Sequence, residues 1–149
     1  MAAVRTATVT WQGDLSSGRG SVSAGSSDTF LDLPVSWASR TEAPEGRTSP
    51  EELLAAAHSS CFAMALSGNL AKAGTPPEHL HVSAQVTFEK LDAGWTVVSS
   101  QLTVIGRVPG STHEAFTAAA EATKDGCPIS RALAGNVTLS VEATLETDG

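Results

Sequence analysis

The sequence predicts an α+β fold, antiparallel β-sheets with a long central helix, on three observations. Short alternating or β-branched stretches occupy both ends of the chain. One Ala-rich run near the middle carries start and stop signals for a helix of about 24 residues. The expected order, β-β-β-α-β-β-α-α-β, puts strands next to strands, which favours antiparallel pairing. A chain of 149 residues fits a single domain, 1–149, able to bury about two-thirds of its unfolded surface.

Residues 4–12, "VRTATVTWQ", alternate apolar and polar, as a half-buried strand does. "GDLSSGRG" is rich in turn residues, and "SVSAG" and "LDLPVSW" read as short strands, the second an edge because of Pro34. Residues 38–49 read as a polar loop. The long helix then starts on Ser49 as N-cap, Pro50 at the first helical position and Glu52 closing a capping box, and it stops at Gly74 ahead of Pro76 and Pro77. At 1.5 Å per residue it extends about 36 Å. "HVSAQVTFEK" and "WTVVSSQLTVIGRV" flank "LDAG" as a hairpin turning at Gly94. A second helix runs from Ser111 or Thr112 to Gly126, a short one opens at Pro128, and "NVTLSVEATL" returns as a strand.

Composition narrows the function. A net charge of −7 argues against a broad basic surface for nucleic acid. No uninterrupted apolar run reaches about 18 residues, which argues against a membrane span. The first residues lack the apolar centre of a signal peptide, so the expected location is the cytoplasm. In a reducing compartment the two cysteines are then either inert small hydrophobes or working thiols.

Cys61 sits in "SPEELLAAAHSSCFAMAL" with His58, Ser59, Ser60 and Ser67 around it, polar company for a core helix. Cys127, before Pro128, falls at the N-cap of a short helix, where free N–H groups favour a thiolate. The pair suits one attacking and one resolving thiol. Candidate cations beside a thiolate are few: Arg19, Arg40, Arg47 and Arg131. Glu51 could orient an arginine through a bidentate pair, but it lies ten positions from Cys61, about 15 Å along the helix. If both serve one site, the Glu must come from an antiparallel copy of the helix in another subunit, and a long small-residue helix suits such a two-fold dimer.

These stretches, with "SRTE" upstream, "GCPIS" downstream and "WQGDLSSGRGSVS" and "VTLSVEATL" at the ends, resemble the OsmC/Ohr family of thiol peroxidases, and more closely its OsmC branch. The resemblance implies an intertwined homodimer with two sites at the interface, Cys61 as peroxidatic and Cys127 as resolving cysteine, and Glu51 as the family acid. It places the family arginine at Arg40 in the OsmC branch and near Arg19 in the Ohr branch; Arg40 is the expectation. Ser49 stands where the family usually has Asn, one N-cap residue for another. The implied chemistry is attack of Cys61 on a hydroperoxide, a sulfenic acid, then a Cys61–Cys127 disulfide, reopened by an external dithiol such as a dihydrolipoyl group. Phe62, Leu54 and Met64 would favour organic peroxides as substrate. No metal, flavin or haem is required.

Three other readings are open to test. His58, three residues before Cys61, could form a Cys–His hydrolase pair. His79 and His81 could chelate a metal, though in no standard zinc spacing. A dimer with an apolar pocket could simply bind a lipid or small apolar ligand.

Overall fold

The computed structural model describes residues 1–147, so the last two residues of the expected domain lie outside it. The chain forms β1 (Ala7–Gln12), β2 (Arg19–Ala24), β3 (Leu33–Val35), α1 (Ala38–Thr41), α2 (Pro50–Lys72), β4 (His79–Leu91), β5 (Gly94–Arg107), α3 (His113–Gly126), α4 (Pro128–Leu133) and β6 (Thr138–Leu145). The α+β expectation holds, and the long helix begins at Pro50 as its cap signals require. The chain divides into two compact units, Met1–Leu53 and Leu54–Gly149, with the division inside α2.

In the first unit β1, β2 and β3 form an antiparallel sheet in that order. Two features depart from expectation. Every residue of β1 is exposed, Val9 and Trp11 included, so its apolar-polar alternation has no covering layer within this unit. Residues 38–41 also form a helical turn instead of loop. Ser36 and Ser39 hold it by exchanging backbone N–H to hydroxyl bonds of 3.1 and 3.2 Å, while the Ser39 hydroxyl lies 2.8 Å from the carbonyls of Ser36 and Thr48. Short polar motifs of this kind compete with loop conformations without leaving a hydrophobic period to read.

The second unit carries the apolar core. Its sheet has the order β4-β5-β6, with β4 and β5 joined as an antiparallel hairpin whose last pair is Leu91 and Gly94. Gly94 has φ +118°, a conformation glycine adopts without Cβ strain. Contrary to the antiparallel expectation, β6 pairs parallel to β5. The reason is the connection: α3 and α4 intervene and return the chain along β5 in the same direction, as parallel pairs need. His58, Phe62, Leu66 and Leu70 are the buried residues of α2 here, a stripe of i, i+4 spacing. Phe62, Leu66 and Leu70 join Leu102, Val104, Val108, Phe116, Ala120 and Cys127 in one core. Gly106 permits the closest approach: a Cβ there would meet the Phe116 ring at 2.7 Å.

By length and mean hydropathy, 1.2 over 18 residues, α2 reaches what a membrane span needs, although no uninterrupted apolar run does. The average comes from alanine and leucine interleaved with serine, and the stripe from His58 to Leu70 faces a protein core.

Candidate active site

Two polar constellations stand out, one in each unit. In the first, α1 presents Arg40 and the first turn of α2 presents Glu51. Arg40 Nη2 lies 2.7 Å from Glu51 Oε1, and Nε lies 3.2 Å from both carboxylate oxygens. Glu51 is buried at 8% exposure, and its pairing with the fork of donors holds the guanidinium plane in place. The ring of Trp37 lies 5.4 Å from the guanidinium carbon. The cap of α2 sets the position of Glu51: Ser49 Oγ accepts from Glu52 N–H at 3.1 Å, as expected. The reciprocal half of the capping box is absent, because the Glu52 carboxylate instead takes the Thr48 hydroxyl at 2.6 Å. Arg40 also lines a mostly apolar groove of about 530 Å³ with Val9, Trp11, Trp37 and Leu53. Arg19 is exposed at the start of β2.

The second unit brings the two thiols together. Both are reduced; Cys61 is partly exposed on α2 and Cys127 is 1% exposed. Burial pushes the Cys61 thiol above its ordinary pKa, and a hydrogen bond with Cys127 pushes it the same way. An interaction that raises a thiol pKa favours its protonated form. The N–H of Ile129 and the charge of Arg131 work in the opposite direction. The cation acting on Cys61 from its own unit is therefore Arg131. The expected N-cap role of Cys127 is observed: its Sγ accepts from Ser130 N–H at 3.4 Å.

Sequence reasoning missed what stands behind Cys127. Cys127 Sγ donates to Ser130 Oγ at 3.0 Å, Ser130 Oγ lies 2.8 Å from His58 Nε2, and His58 Nδ1 lies 2.6 Å from Ser100 Oγ. His58, Ser100 and Ser130 have no exposed surface. Burial holds the His58 pKa below its ordinary value, so the ring is neutral. Its polar neighbours come from β5 and α4, 42 and 72 residues away, beyond any local pattern. Both ring nitrogens are occupied by serines, and this removes the geometry a Cys61–His58 hydrolase pair needs. The other apolar candidates divide: Phe62 is enclosed in the core, Met64 is 71% exposed and Leu54 is half-buried. His79 lies 3.3 Å from Glu146, and among the described residues no three His, Cys, Asp or Glu side chains are grouped to hold a metal.

Fold and site together define an α+β protein with two free thiols that influence each other within one unit. Residues 43–142 match the family described as OsmC-like protein. The chain is 37% identical over 132 residues to Peroxiredoxin OsmC of Escherichia coli (strain K12), covering 89% of this chain and 91% of that one. Among solved structures it is similar to the organic hydroperoxide resistance protein OhrB of Bacillus subtilis, at 25% identity and TM-score 0.68 over 93% of this chain and 98% of that one. An OsmC-like protein from Mycoplasma pneumoniae shares the fold at TM-score 0.74 and 12% identity, over 99% and 100% of the two chains. This protein belongs to the OsmC family.

Proposed function

We propose that the protein is a thiol peroxidase that reduces organic hydroperoxides to alcohols. The observation carrying this reading is that two free thiols, Cys61 and Cys127, lie in one unit close enough for Cys127 to act on the Cys61 pKa, supported by the peroxiredoxin relative. Cys61 thiolate attacks the outer peroxide oxygen; an S–O bond forms, the O–O bond breaks, and the alkoxide leaves as the alcohol by taking up the proton that the Cys61 thiol released on ionising. Cys127 then attacks the sulfenic sulfur, giving a disulfide and water. A dithiol of the dihydrolipoyl class reopens the bridge by exchange.

Cys61 needs more positive charge than Arg131 supplies, since its thiol is held above the ordinary range. A two-fold homodimer meets that need if the Arg40–Glu51 pair of one chain completes the thiol site of the other. Supporting this, Glu51 stands ten positions before Cys61 on one helix, and Ala56, Ser60, Met64 and Gly68 form an exposed stripe on α2 that is small-residue except for Met64. Arg40 then stabilises the Cys61 thiolate and directs the peroxide oxygen, while Glu51 orients Arg40. The apolar groove beside Arg40 receives the organic group. Leu54 and Met64 offer further apolar surface on the helix that carries Cys61, whereas Phe62 is enclosed in the core. In this reading both units act as one functional domain.

The test is peroxide consumption with cumene hydroperoxide and a dithiol. Cys61→Ser should abolish turnover, and Cys127→Ser should allow one oxidation per chain with no intramolecular bridge. Full turnover in Cys61→Ser would rule the reading out. If reduced wild-type protein loses no thiol to the peroxide, a dimeric protein that binds a lipid or small apolar ligand becomes the better account.

A further inference from the structure

We infer that Ser130 relays the proton of Cys127 to His58 when that thiol closes the disulfide, and that Ser100 is a positioning residue which fixes the His58 ring for this task. The inference rests on the thiol-peroxidase reading above.

The direction of each hydrogen bond follows from its neighbours. Cys127 Sγ–H donates to Ser130 Oγ. The hydroxyl proton of Ser130 is thereby left for the ring of His58, whose Nε2 accepts it at 2.8 Å. Nδ1 then carries the remaining proton and donates to Ser100 at 2.6 Å. The result is a single-file series, Ser100, His58, Ser130, Cys127, ending on a reacting sulfur. Three fully buried polar side chains beside an apolar core are costly where packing alone is wanted. This series satisfies each of them and gives the second thiol a defined route for its proton.

The step balances without a further reagent. As Cys127 Sγ attacks the sulfenic sulfur of Cys61, the S–S bond forms and the S–O bond breaks; the Cys127 sulfur is oxidised and the sulfenic sulfur reduced. The thiol proton passes to Ser130 Oγ while the hydroxyl proton of Ser130 moves to His58 Nε2. The departing hydroxide takes a proton from Ser130 and leaves as water, and His58 returns its own to Ser130. Ser130 N–H, 3.4 Å from Cys127 Sγ, supports the sulfur while it is negative.

Rapid mixing of the reduced protein with cumene hydroperoxide separates the two steps, with dimedone trapping of the sulfenic acid for the first and mass spectrometry of the disulfide for the second. In Ser130→Ala the ratio of sulfenic-acid formation to disulfide closure should rise about 10- to 100-fold, at or below the usual share of a positioned proton acceptor, and Ser130→Thr should restore it. His58→Gln should raise the same ratio about tenfold, and it decides the matter should Ser130→Ala fail to fold. An unchanged ratio in both Ser130→Ala and His58→Gln overturns the inference, as does an equal slowing of both steps. Wild-type protein that yields neither sulfenic acid nor disulfide defeats the peroxidase reading itself.

Discussion

Arg40 and Glu51 meet as full charges with 28% of the arginine side chain still in water, whereas His58, Ser100, Ser130 and Cys127 form a neutral series with almost no exposed surface. The difference shows what each can do. A partly wet guanidinium carries a full charge that reaches an anion arriving from outside. A dry neutral chain acts only on what it touches, and it touches Cys127. In the reading proposed above, charge serves the first oxidation and hydrogen-bond order the second.

The largest effect should come from the charged side. Arg40→Met is expected to lower peroxide turnover about 10²- to 10³-fold, the range for removing a donor aimed at developing negative charge. Glu51→Gln should cost less, and the double variant should be no worse than Arg40→Met alone if the two act as a unit. Steady-state peroxide consumption checks this, and fully multiplicative losses would separate the pair. Next comes the neutral side. His58→Ala should destabilise the fold by about 3 kcal/mol, through the cavity and the loss of its hydrogen bonds with two buried serine hydroxyls, readable by urea denaturation.

The pH dependence sharpens the contrast further. The folded-state pKa of His58 is depressed by burial, so the unfolded chain binds the proton more readily. Its contribution to stability is complete above the unfolded value of about 6.5 and is lost as pH falls below it. Between pH 7 and pH 5 urea midpoints should decline, with at most about 1.4 kcal/mol per pH unit from this one proton, and His58→Gln should remove that part of the decline. The smallest effect belongs to Ser49→Ala, which loses the cap of α2 beneath Glu51 and should cost about 1 kcal/mol, measured by thermal melting.

Much of this architecture is legible in local signals. Ser49, Pro50 and Glu52 announce α2, and Gly94 announces the β4–β5 hairpin, because caps and turns are decided by residues a few positions apart. The parallel placement of β6 is not local, since it depends on how α3 and α4 return the chain. The thiol motifs were readable as residue types, and the fold gathers them into one unit. Ser100 and Ser130 gave no signal at all: a serine in a strand and another in a short helix look ordinary until the histidine between them is placed. The exposed β1 teaches the converse, as its alternation is clear in sequence while the layer it would face is absent from its own unit.

Cys127 caps α4 with the same sulfur that would enter a disulfide. Once bridged, that sulfur has no proton to give Ser130, although it can still receive the Ser130 amide. The redox state of the pair is thus recorded in the first turn of a six-residue helix, and amide exchange at Ile129 and Ser130 would serve as a built-in gauge of it.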